Sequence, residues 1–290
     1  MKKTLWTIGL FSCGLFQLTA QSAKDTVWKT EGLFGLKMTQ VSLTSWAAGG
    51  ASSVAFDAQA VYSADYKKGR NIWQNRVELG YGMAKNEGED ARKANDKLYL
   101  SSTYGYQLHK SLYWSALANV STQFDKGYNY AISNSEHISK FMAPGYLMVG
   151  TGITWTPKPW FVMSFTPATW KGTLVMDTRL SDAGAFGVDP GKKLFSELGA
   201  NLKAEANQEI MKNVKLYSRL ELFSNYLENP QNIDIKWDVQ LNMTINKWLS
   251  TTLSTNLVYD DNIKIAQKDG TAGSRVQFKE VLGVGLQVAF

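Results

Sequence analysis

Ile233-Asp234-Ile235-Lys236-Trp237-Asp238-Val239-Gln240-Leu241-Asn242-Met243-Thr244-Ile245 alternates without a break between apolar and polar side chains. Period two puts the apolar groups on one face of an extended chain and the polar and charged groups on the other. A helix with this order would scatter its apolar residues around every side, so the stretch reads as one long strand. Soluble strands average about 5–6 residues. Transmembrane barrel strands need about 9–11 at a steep tilt, which this stretch supplies. The pattern recurs at Leu98, Leu100, Ser102, Tyr104, Tyr106 and Leu108, with Tyr99, Ser101, Thr103, Gly105 and Gln107 between them. It returns at Val276, Phe278, Leu282, Val284, Leu286, Val288 and Phe290, opposed by Gln277, Lys279, Gly283, Gly285 and Gln287.

Composition narrows the alternatives. Of 290 residues, 44% are hydrophobic and only 19% charged, below the roughly 25% of soluble domains. Several runs of about 20 apolar residues, which a bundle of membrane helices requires, are missing. There is enough apolar material to argue against disorder, and one Cys excludes both a disulfide framework and a Cys-based zinc site. Lys2 and Lys3 precede a largely apolar stretch that ends at Leu18-Thr19-Ala20, the anatomy of a cleaved signal peptide over 1–20. A lipobox at Leu10-Phe11-Ser12-Cys13 is the rival reading; the bulky Phe11 and the apolar residues continuing past Cys13 speak against it. Losing Lys2 and Lys3 lowers Lys+Arg from 31 to 29 against 25 acids, leaving about +4. That charge is too small and too scattered to suggest nucleic acid.

Connections supply an independent test. Short links at 67–70, 109–110, 157–159, 208–212 and 246–247 alternate with longer polar links at 45–51, 85–96, 125–143, 166–193, 225–232 and 261–274. Outer-membrane barrels alternate periplasmic turns with external loops in this way. The strands read as 33–43, 52–66, 71–84, 97–108, 111–124, 145–156, 160–165, 194–207, 213–224, 233–245, 248–260 and 275–290. The expected fold is therefore all-β: a transmembrane up-and-down antiparallel β-barrel of about 12 strands over 33–290, after a signal peptide and a short periplasmic segment at 21–32. Gly172 to Leu180 also looks strand-like, but as a separate strand it would put a long loop on the wrong side, so it reads as an extension or hairpin in the fourth external loop. Tyr66, Trp73, Tyr106, Trp114, Trp155, Trp160 and Trp248 fall beside the short turns, an aromatic girdle at one membrane interface. Phe56, Tyr81, Phe124, Phe165, Tyr259 and Phe278 suggest a weaker second one.

Trp28-Lys29, Ser45-Trp46-Ala47-Ala48-Gly49-Gly50, Trp73-x-Asn75, Leu79-Gly80-Tyr81-Gly82 and Leu222-Phe223-Ser224-Asn225-Tyr226 form a specific set. With Asn232-Ile233-Asp234, Tyr259-Asp260-Asp261-Asn262-Ile263 and Lys279-Glu280-Val281-Leu282-Gly283-Val284-Gly285, the chain resembles a Bacteroidota outer-membrane family known as domain of unknown function 3078. The resemblance implies a barrel in the cell outer membrane, in contact with its lipid, and transfers no activity or catalytic residue. The terminal Phe290 resembles the aromatic end that barrel-assembly machinery reads.

Function would show in the lumen. Alternation turns Glu197, Lys203, Glu205, Lys215, Arg219, Glu221, Asp234, Lys236 and Asp238 inward on one wall, with Arg76, Glu78 and nearby Asp57 elsewhere. These charges either orient a passing solute or form a ladder of cross-strand ion pairs that fills a narrow barrel. Nearly balanced signs favour filling, with Tyr99, Tyr217 and Phe223 packing inside beside Gly80, Gly82, Gly283 and Gly285. No enzyme is expected: His109 lies in a turn, and His137 lies in an external loop near Ser133, Ser135 and Glu136, not on a rigid strand. No metal or cofactor is expected either, since Asp260, Asp261 and Asn262 offer too few oxygens for calcium, and no phosphate-binding glycine loop is present. Two functions remain: a narrow channel or specific transporter for a small polar solute, or a non-conducting barrel serving an envelope protein complex. In the fourth loop, Phe186-Gly187-Val188-Asp189-Pro190-Gly191 is the expected contact or constriction element, bringing Asp182 and Asp189 toward the lumen charges if it folds inward.

Overall fold

The computed structural model describes residues 27–42, 52–130, 133–263, 265–266 and 272–289. The signal-peptide segment, the 45–51 link and Phe290 lie outside them. Twelve strands make the sheet: β1 (Trp28–Val41), β2 (Ser53–Lys68), β3 (Asn71–Asn86), β4 (Arg92–His109), β5 (Leu112–Thr122), β6 (Gly145–Lys158), β7 (Phe161–Leu174), β8 (Leu194–Met211), β9 (Val214–Asn225), β10 (Ile233–Thr244), β11 (Leu249–Tyr259) and β12 (Gln277–Ala289). Each pairs antiparallel with its sequence neighbours, and residues 33–38 of β1 close the barrel on residues 284–289 of β12. Closure leaves the sheet no free edge, so backbone groups find partners along both sides of most strands.

Several boundaries differ from the sequence reading: β4 begins at Arg92 and not at 97, β8 runs to Met211 through most of the expected 208–212 link, and two more bear on the barrel's seam and lumen. β1 begins at Trp28, so 28–32 belong to the barrel and not to a periplasmic segment; these residues pair with 62–66 of β2. Lys29, Thr30 and Glu31 hide the alternation there. β7 runs on to Leu174, because Pro167 sits at a register shift where Thr166 and Thr169 pair with Asn201 and Gly199. Proline cannot donate to the ladder, and the chain bulges past it. Opposite the bulge, a Cβ at Gly152 would collide with the Phe165 carbonyl, so only glycine fits there. Gly172 thus extends β7, and Thr178–Asp182 forms a short helix, α1.

Burial is inverted. Among the described residues, 21 polar or charged side chains are buried against eight apolar ones. Phe34, Leu36, Met38, Val149, Phe165, Leu198, Leu282 and Val288 stand exposed on the outer face. A soluble protein rarely exposes so continuous an apolar belt, whereas lipid requires one. The girdle is present at the short-turn end, where Trp28 packs 5.2 Å from Tyr66 and 5.7 Å from Trp73, and Trp155 and Trp160 flank Phe161. No helix among the described residues is long and apolar enough to cross a membrane.

Candidate functional site in the lumen

Arg219 on β9 and Glu78 on β3 belong to strands six places apart in a ring of twelve, so they face each other across the barrel. Their side chains meet in the middle. The Arg219 guanidinium donates to both Glu78 oxygens at 3.1 and 3.4 Å, and to Asp238 Oδ2 at 2.7 Å. Arg76 Nε and Lys97 Nζ also reach Glu78, each at 2.6 Å. Lys97 on β4 lies 3.8 Å from Asp238 on β10, another pair of opposite strands. Two rings fix the arginine: its carbon lies 4.5 Å from the Tyr99 centroid and 5.8 Å from that of Tyr217. Such fork-to-carboxylate pairs are rigid as well as strong. The expected wall ladder is only part of the arrangement, since the longest arms form a crossbar through the lumen.

The crossbar makes an hourglass. An outer vestibule of about 640 Å³ is lined by Tyr146, Lys236, Glu221, Asp260 and Phe186, among others. An inner one of about 210 Å³ is lined by Glu31, Asp65, Lys203, Glu205 and Tyr217. Between them lies a neck of about 90 Å³ that shares Arg219, Lys97 and Asp238 with the outer space, and Arg76 and Tyr217 with the inner.

A second cluster sits near the external end. Lys171 Nζ lies 2.6 Å from Asp234, 3.0 Å from Glu197 and 3.6 Å from Asp260, and 4.9 Å from the Phe223 ring. All four charged groups are buried. Of the remaining sequence-read residues, Lys203 pairs with Glu205 at 3.5 Å, Glu221 accepts from Asn201 at 3.0 Å, and Lys236 lies over Tyr146. Lys215 stays exposed toward the short-turn end and joins neither cluster. The sequence reading missed Lys97 and Lys171. Lys97 shares the parity of Tyr99, so extending that alternation backwards finds it. Lys171 was not legible: inward positions run 162, 164, 166 before the Pro167 bulge and 169, 171, 173 after it.

The external loops form a folded crown. Ala143, Val175, Leu180 and Val188 make a small apolar core, with Phe186 and Phe195 against it. Phe186 overhangs the outer vestibule from a left-handed backbone (φ 59°), a conformation that costs a bulky residue about 1–2 kcal/mol. Asp182 and Asp189, expected to approach the lumen charges, remain exposed on the crown. Asp177 clamps the two loops: it caps α1 through the Leu180 N–H (2.9 Å) and binds Lys140 (2.6 Å) and His137 (3.1 Å). The Lys140 contact, then the Leu180 N–H, holds its carboxyl well below the usual range. A depressed carboxyl stabilises fully above its unfolded value, near 3.9, and the contribution is lost as pH falls through the folded value. Asp177→Asn keeps the cap but loses the ion pair. We expect faster tryptic cleavage in 175–193 at pH 7, and a smaller loss of protection on acidification than in the wild type. Asp177→Ala should open the crown further, a cap being worth about 0.5–2 kcal/mol.

Three solved structures are similar to this chain at low identity. The outer membrane channel COG4313 from Pseudomonas putida F1 is 11% identical over 92% of this chain and 97% of its own, with a TM-score of 0.41. The translocator domain of autotransporter NalP from Neisseria meningitidis is 9% identical over 93% and 90%, with a TM-score of 0.32. The Pseudomonas putida toluene transporter TodX is 7% identical over 92% and 89%, with a TM-score of 0.27. At these values none of them assigns an activity to this chain. No curated protein matches. The family model described as protein of unknown function (DUF3078) matches residues 38–128, from the upper half of β1 through β5 into the next external loop. Trp73-x-Asn75 and Leu79-Gly80-Tyr81-Gly82 fall inside that segment, so about a third of the chain is similar to the DUF3078 family.

Proposed function

We propose that this protein is an outer-membrane barrel that passes a small polar solute through a neck gated by the Arg219 crossbar. The observation that carries the reading is the hourglass: two vestibules, one at each end, converge on one small charged neck. A barrel filled only for stability has no need of a 640 Å³ outer space that narrows onto its charges. The lipid-facing belt, the sheet's closure and the alternation of short and long connections support the outer membrane as its place. Insertion there would use the barrel-assembly machinery of that membrane.

The folded crown, with its own apolar core, favours a second reading as a non-conducting subunit of an envelope complex. Planar-bilayer recording of the refolded chain separates the two. Reproducible small conductance steps are expected. Silence from protein whose heat-modifiable electrophoretic mobility shows it folded would overturn the channel, and the crown would then be tested by cross-linking in cell envelopes.

A further inference from the structure

The neck is asymmetric in charge. Its lining carries five basic side chains against three carboxylates. Most are locked in the crossbar, but two lysines at the barrel seam are not. Lys37 on β1 makes no ion pair or hydrogen bond to another described residue, and Gly283 on β12 leaves room for its stem: a Cβ there would lie 3.2 Å from Lys37 Cδ. Lys279, also on β12, has no carboxylate within 4 Å among the described residues and donates only to Asn95 Oδ1, at 2.9 Å. Asn95 in turn donates to Asp57 Oδ2 at 2.8 Å; Asp57 stands opposite Lys37 on β2, keeps its charge, and lies more than 4 Å from either ammonium.

Cations facing an enclosed polar space from a low-dielectric wall attract a counter-ion strongly. We propose that Lys37 and Lys279 form an oxyanion subsite in the neck, so that the solute carries a single carboxylate or phosphate group. This deepens the channel reading by naming the solute's class. The anion enters from the outer vestibule, whose lining includes Lys279 and Asn95, and its head group fits a neck of about 90 Å³, equivalent to roughly three waters. Beyond it stand Arg76 and Arg219, whose carboxylate partners an arriving anion would displace in part. An anion is therefore a ligand able to compete for the crossbar.

The test is binding of inorganic phosphate to the folded protein in detergent, followed by calorimetry and by phosphorus-31 line broadening. Saturable binding is expected in the wild type. In Lys37→Gln/Lys279→Gln it should be at least tenfold weaker, and Lys279→Gln alone should lie between. Lys279→Gln keeps a donor for Asn95, so it serves if the double variant fails to fold. No saturable binding by the wild type, or equal binding in the folded variants, overturns the subsite. Binding is read without passage, so the two readings fail separately. Phosphate binding with silent bilayers removes the channel and leaves the site, while conductance without binding removes the site and leaves the channel.

Discussion

Arg219→Ala is expected to raise the single-channel conductance severalfold and to lengthen open times. Truncation removes roughly 80–100 Å³ of filling from beside a neck of only about 90 Å³. It also severs the contacts joining β9 to Glu78 and to Asp238. Glu78 keeps Arg76 and Lys97, and Asp238 keeps Asn256 at 2.7 Å, so neither carboxylate is abandoned and the barrel should still fold. Arg219→Lys should fall between, since an ammonium cannot engage Glu78 and Asp238 as a planar fork does. Planar-bilayer records of the three proteins, each checked for folding, decide the matter. An unchanged conductance in Arg219→Ala would show that the crossbar braces the wall without controlling passage.

The largest loss of stability is expected from Lys171→Met. One buried ammonium faces three buried carboxylates, Glu197, Asp234 and Asp260. Taking away the cation leaves like charges together at buried positions, and breaking a buried pair costs about 3–5 kcal/mol. The urea midpoint of the refolded barrel should drop accordingly. Adding Glu197→Gln to Lys171→Met should recover part of the loss, because it removes one uncompensated charge while keeping an acceptor for Asn225 and Asn262. A midpoint unmoved by Lys171→Met would mean that water reaches the cluster and screens it.

These expectations also mark how far the sequence could be read. Alternation along 233–245 fixed which side of β10 faces lipid, and Asp234, Lys236 and Asp238 all lie inside, as the period required. The aromatic girdle and the even number of strands were equally legible, since each depends on spacing along one chain segment. Pro167 shows where such reading fails. One extra residue reverses the parity of everything after it, and Lys171 passes from the lipid side to the lumen. Lys37, by contrast, was legible: Phe34, Leu36 and Met38 alternate around it on the outer face, which turns it inward.

The sequence alone therefore determined that the chain is a long-stranded barrel with an apolar exterior and a charged interior, because a period-two pattern is local and each strand carries it independently. Only the tertiary structure decided which of the interior charges meet. Arg219 and Glu78 lie 141 residues apart, and nothing in their own segments indicates that they are partners. They become so when β1 closes on β12 and puts β9 opposite β3 at a distance two long side chains can span. The same closure divides the lumen into two vestibules and a neck, and it leaves Lys37 and Lys279 at the seam with no carboxylate within 4 Å among the described residues. The physical reason is that facing across a lumen is a property of the closed ring, and it has no counterpart in sequence spacing.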